Sequence, residues 1–139
     1  MTNIIEIKNL SFNYNKDSSI FNNLSLNIKK GKITTILGKN GCGKSTLIKL
    51  LAKNLNYDSG SIKLENKELS NYNLRELASK LSIVYQKNET PKEITVNDMV
   101  SFARLPYQNI FLYKKSKEDI EKVDFALKHT SLTEYKEKY

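Results

Sequence analysis

Apolar and polar residues alternate with a period of two along "NIIEIKNLSFNY" near the N-terminus. Leu10, Phe12 and Tyr14 fall on one face, a pattern that predicts one or two strands. "LSLNIKKGK" (24–32) alternates again through Leu24, Leu26 and Ile28, then turns at Gly31. "KITTILG" (32–38) is different: a short, β-branched apolar run of the kind that forms a strand buried on both faces. After it Leu47, Leu50 and Leu51 recur at helical spacing, with Ile48 widening the stripe. "DSGSIKLENKEL" (58–69) reads as a turn, a strand and a second turn. "NLRELASK" (73–80) reads as a short helix, and "LSIVYQ" (81–86) as another buried strand. "TVNDMVSFAR" (95–104) predicts a helix capped by threonine. "SKEDIEKVDFALKH" (116–129) predicts a helix with a serine cap, an acidic first turn, and Ile120, Val123 and Leu127 on one face. Antiparallel strands, then a parallel-strand core, then helices make a composite α/β architecture.

Between the run ending at Gly38 and the helix lies "GKNGCGKST", which holds three of the chain's 5 glycines. Gly38 to Ser45 match G-x-x-x-x-G-K-[ST] at every fixed position, in the strand–loop–helix context that the pattern requires. Glycines let a backbone wrap closely round a ligand with no Cβ in the way. The wrapped N–H groups and those of the helix N-terminus make a cradle for phosphates. Lys44 is expected to place its ammonium on the β- and γ-phosphates, and the Ser45 hydroxyl to be a ligand of Mg²⁺. Kinases, GTPases, motors and transport ATPases all carry such a loop, so on its own it settles a nucleotide and little else.

Composition narrows this only slightly. With 139 residues the chain is one domain at most, and no internal repeat is visible. A hydrophobic fraction of 39% and a mean hydropathy of −0.53 suit a soluble protein. No apolar run nears the ~20 residues of a membrane span. "MTNIIEIKNL" has neither the basic stretch nor the apolar core of a signal peptide, so a cytoplasmic location is expected. The single cysteine, Cys42, excludes an internal disulfide. The net charge of +8 is almost all lysine, spread along the chain with no block, so no nucleic-acid partner is expected.

These residues together resemble the ATP-binding subunits of ABC transporters. The stretch from "NLSFNYNKDSSIF" through the phosphate loop to "DSGSIKL" is similar to the first half of that family's domain. The resemblance implies a P-loop NTPase core with an N-terminal antiparallel β subdomain, followed by the start of a helical subdomain. It places the β subdomain and core in residues 1–86 and the beginning of the helical subdomain in 87–139. Tyr14, about 24 residues before Gly38, matches the aromatic that stacks on adenine. Gly38, Lys39, Asn40, Gly41, Cys42, Gly43, Lys44, Ser45 and Thr46 match the phosphate loop. Gln86 matches the glutamine whose side-chain oxygen reaches Mg²⁺. ATP and Mg²⁺ are thus the implied cofactors, with Ser45 and Gln86 as metal ligands. Membrane-spanning permease subunits and a second ATP-binding subunit are the implied partners, at the inner face of the cell membrane.

"TVNDMVSFARLPYQN" is similar to a stretch in importer ATPases that serve iron chelates, haem and cobalamin, through Arg104, Pro106 and Tyr107. Ala103 stands where that subgroup usually has glycine. "LPYQNIFLY" offers aromatic and aliphatic contacts suited to a permease, or equally to the core of a helical subdomain. The sequence lacks the family's "LSGGQ", and it lacks the apolar strand ending in Asp-Glu that supplies the general base. His129, the only histidine, sits on a charged helix and reads as a surface residue. The expectation is a truncated domain with no catalytic residue of its own, which binds ATP without hydrolysing it. A non-transport ABC ATPase or another P-loop NTPase stays open as the alternative.

Overall fold

The structure is a computed structural model and describes residues 2–15, 18–85, 93–108 and 115–139. The chain divides into two compact units, Met1–Leu77 and Ala78–Tyr139. In the first, β1 (Asn3–Asn13), β2 (Ser19–Lys29), β3 (Ser59–Leu64) and β4 (Lys67–Glu68) form one sheet in the order β2-β1-β3-β4. All three pairings are antiparallel. β1 sits centrally, so Ile7 faces Leu26 on one side and Ile62 on the other.

A bulge explains how this strand buries two apolar pairs of opposite phase. Ile5 and Ile7 are buried, and so are Leu10 and Phe12, which strict alternation would put on the other face. The register shifts between Ile7 and Leu10, where Asn9 takes a positive φ of 48°. The Asn9 N–H, taken out of the ladder, donates to Ser25 Oγ at 2.9 Å.

Helix α1 (Lys44–Leu51) buries Leu47, Leu50 and Leu51. Its end is closed by paired bonds from Lys53 N–H to Leu50 O and Asn54 N–H to Lys49 O, with Lys53 at φ 58° in the position usually given to glycine. The Lys53 ammonium donates to the carbonyls of Ser70 and Tyr72 at 3.1 and 2.7 Å, which ties this helix end to the segment after β4. The β3–β4 hairpin turns through Glu65 and Asn66, both with positive φ, as a two-residue hairpin loop demands.

α2 (Leu74–Lys80) starts where the Asn73 side chain accepts the Glu76 N–H at 2.8 Å. In the second unit α3 (Val96–Phe102) is capped by Thr95, whose side chain accepts the Asp98 N–H. A 3₁₀ turn over Leu105–Tyr107 follows, with Pro106 as its second residue. α4 (Lys117–His129) has a reciprocal capping box between Ser116 and Asp119. Its buried stripe is Asp119, Val123 and Leu127, and Ile120 is exposed, contrary to the face expected from the sequence. Asp119 takes the inner position because it is both capped and ion-paired there. The carbonyls of Lys138 and Lys136 accept the N–H groups of Val96 and Asn97 at 2.9 and 3.0 Å, so residues near the end of the chain close the start of α3.

Two expected strands do not form. Residues 33–38 and 81–85 join no sheet among the described residues, where every strand pairing is antiparallel. Ile33 is 99% exposed, Leu37 87% and Val84 90%. β-branched composition suits a residue to a ladder, but a strand exists only with a neighbour to bond.

Candidate functional site

The loop of residues 38–43 lies between the extended run and α1, and its shape follows from its glycines. Gly43, the residue before the helix, has φ 98° and ψ 4°. A side chain there would be strained, and its Cβ would meet Ile20 at 2.7 Å and Phe21 at 2.9 Å. β2 therefore packs directly on the loop backbone at the head of α1. At Gly38 a Cβ would lie 2.5 Å from Cys42 Sγ, so the thiol occupies the space that this glycine leaves.

Lys44 turns back into the loop. Its ammonium donates to the carbonyls of Gly38 and Lys39 at 2.6 and 2.7 Å and lies 3.7 Å from Cys42 Sγ. Cys42 N–H completes the turn by donating to Lys39 O at 3.4 Å. The first intrahelical bond runs from Leu47 N–H to Gly43 O at 2.8 Å. The N–H groups of Lys44, Ser45 and Thr46 thus have no acceptor within the helix. No side chain caps this end, and its first turn holds no acidic residue. A helix's positive end, a lysine ammonium and exposed loop amides are a donor set without a balancing anion, and they fit a phosphate chain.

Tyr14 follows β1. Its hydroxyl lies 3.2 Å from Thr46 Oγ1, and its ring meets Phe12 edge-on at 4.9 Å and 83°. The residue is 49% exposed, whereas Thr46 is only 7% exposed. Thr46 shares the first turn of α1 with Lys44 and Ser45, directly after the loop of Gly38, Lys39, Asn40, Gly41, Cys42 and Gly43, so the structure brings Tyr14 to the end of this run. Ser45 is exposed at the head of α1. Gln86 lies outside the described residues. The residues present fit Mg²⁺ with one hydroxyl, that of Ser45, while the second expected ligand is Gln86. Local spacing could not have shown the Tyr14–Thr46 contact, which joins positions 32 apart.

A second cluster lies within Ala78–Tyr139. Arg104 Nε donates to Asp119 Oδ1 at 2.8 Å, and a further nitrogen of the same guanidinium lies 3.7 Å from Glu118. The guanidinium covers the Tyr107 ring at 4.2 Å, and the Tyr107 hydroxyl donates to Ser79 O at 3.0 Å. The hydrogen bonds from Arg104 and Ser116 hold the Asp119 carboxyl below its ordinary range, against the opposing effect of burial. His129 is exposed and stacks on Phe125 at 3.9 Å.

A glycine loop wrapped on its own lysine at the head of a helix, laid against an antiparallel sheet, has the build of a P-loop nucleotide-binding domain. The chain belongs to the ABC transporter family, whose profile matches residues 21–139. It is 42% identical over 128 residues to the Probable siderophore transport system ATP-binding protein YusV of Bacillus subtilis (strain 168), covering 92% of this chain and 46% of that protein. It is 35% identical over 124 residues to the Ferric enterobactin transport ATP-binding protein FepC of Escherichia coli (strain K12), covering 89% of this chain and 45% of that one. Among solved structures it is similar to cbiO1 from Clostridium perfringens, part of the ABC transporter complex cbiONQ. That likeness has a TM-score of 0.78 and 32% identity, and covers 99% of this chain and 54% of the other. The chain spans about half the length of the curated relatives it matches. No helix among the described residues is long and apolar enough to cross a membrane.

Proposed function

We propose that the chain is the nucleotide-binding part of an ABC-type importer subunit, which couples ATP binding and hydrolysis to uptake of an iron chelate or related metal–organic substrate. The observation that carries the nucleotide reading is Lys44. Its ammonium rests on two loop carbonyls at the head of a helix that has no anion of its own. In this reading Gly38 to Thr46 hold the phosphates, the Tyr14 ring supports adenine, and Ser45 and Gln86 hold Mg²⁺. Mg²⁺ bound there offsets phosphate charge. Lys44 exchanges its two carbonyl partners for phosphate oxygens, and the amides of α1's first turn hold the chain of phosphates in line.

The relatives' printed names, a siderophore transport protein and a ferric enterobactin transport protein, support the substrate class. Residues 1–86 then form the β subdomain and core through Gln86, and 87–139 begin the helical subdomain. Met99, Phe102, Leu105 and Tyr107 are exposed along α3 and the turn after it, and suit a membrane-spanning permease subunit on the cytoplasmic side. A second ATP-binding subunit is the other partner in the whole protein.

Titration of the chain with Mg-ATP tests the site. Lys44→Ala removes a charge-assisted contact and should weaken binding roughly tenfold to a hundredfold. Unchanged affinity in a folded variant would sink the assignment. By itself the chain should bind ATP without turnover, because its sequence has neither "LSGGQ" nor the Asp-Glu strand. General-base catalysis contributes about 10²–10⁴ in rate, so phosphate release should not exceed a Lys44→Ala control. Steady hydrolysis above that control would refute this part.

A further inference from the structure

Tyr14 is held at two points and left open at a third. Its ring packs nearly perpendicular to that of Phe12, a buried residue of β1, and its hydroxyl shares a hydrogen bond with Thr46 at 3.2 Å. About half of the residue stays in solvent. Thr46 is the third residue of α1, two positions after Lys44, and it is nearly buried. A hydroxyl carries one hydrogen and has few directions in which to bond. The Thr46 oxygen lies on the Tyr14 hydroxyl, with either group able to donate, while the Thr46 backbone N–H is among those with no acceptor within the helix. A side chain already held in its working orientation loses less freedom when a ligand arrives.

We infer that the Thr46 hydroxyl is a positioning group for the Tyr14 ring and not a phosphate ligand, so that one hydrogen bond ties the base platform to the phosphate-binding helix. The inference rests on the nucleotide reading proposed above. It gives Thr46 two separate duties, the amide toward phosphate and the hydroxyl toward the aromatic ring. It also predicts that changes at Tyr14 and Thr46 are felt only by ligands that carry a base.

The test compares Mg-ATP with inorganic tripolyphosphate, which offers the same phosphates and no base, by calorimetric titration of the 139-residue chain at low micromolar concentration. Tyr14→Phe keeps the ring and loses the hydroxyl; Thr46→Val keeps the shape and loses the partner. Each should weaken ATP about fivefold, the double variant should again lose about fivefold, and tripolyphosphate affinity should not move. Thr46→Ser should restore ATP affinity. Additive losses in the double variant would overturn the inference, and so would a Thr46→Val loss equal for ATP and tripolyphosphate. If Thr46→Val fails to fold, Tyr14→Phe decides alone, since unchanged ATP affinity there removes the pairing. Lys44→Ala separates the two levels: if it leaves both ligands bound as before, the site reading falls and the pairing with it. A loss of both with additive Tyr14 and Thr46 effects removes the pairing alone.

Discussion

Arg104 shows how much one side chain can organise. It pairs with Asp119, a residue only 4% exposed, covers Tyr107, and reaches toward Glu118. Because the Asp119 carboxyl titrates below its ordinary range when folded, its contribution to stability is complete above the unfolded value near 4 and fades as the pH falls through the lower folded value. Acid unfolding of the helical unit should therefore steepen below about pH 4. Asp119→Asn should flatten that limb while lowering stability at neutral pH, and circular dichroism melts across pH would show both. An acid limb identical in the two proteins would remove Asp119 from this role. The sequence names Arg104 and Tyr107 through the importer resemblance, yet nothing in their spacing indicates Asp119. The pair joins residues 15 apart, one just after α3 and the other in the first turn of α4, and only the packing of α3 and α4 brings them together. The same limit hides the Tyr14–Thr46 bond, whereas the phosphate loop is legible because all its parts are adjacent in the chain.

At the level of elements, the local signals are the ones that hold. Thr95, Ser116 and the turns at Gly31 and Glu65–Asn66 stand where residue chemistry puts them. The bulge at Asn9 is harder to foresee, since it is visible only as a change of phase between Ile7 and Leu10. The C-terminus of α1 gives a direct measurement. Lys53 already bears the strain of its positive φ, so Lys53→Ala keeps that strain and removes the two ammonium bonds to Ser70 and Tyr72. A loss of about 1–3 kcal/mol in denaturant unfolding is expected. The hairpin should respond in the opposite sense. Asn66→Gly, at φ 65°, should gain up to about 1 kcal/mol, because glycine meets that conformation without a Cβ. A destabilised Asn66→Gly would mean that the Asn66 side chain supports the turn.

For the molecule as a whole, the segments that most resembled buried strands are the most exposed. Ile33, Leu37 and Val84 stand almost entirely in water, and each large apolar side chain left there forgoes about 1.5–3 kcal/mol of burial. Such a loss is a large share of a domain's net ~5–15 kcal/mol. Periodicity states that a run is fit to be covered and says nothing of what covers it, which is why these two segments misled. The chain should bind a hydrophobic dye and self-associate with rising concentration, its charge of +8 slowing the process. A monodisperse monomer that melts cooperatively and binds no dye would refute this. The helical unit has a different property, set by the bonds from Val96 and Asn97 to Lys138 and Lys136. The two ends of the stretch 96–138 are bonded to each other. Fraying at one end is then felt at the other, so amide exchange at Val96 and Asn97 should quicken when residues 136–138 are disturbed.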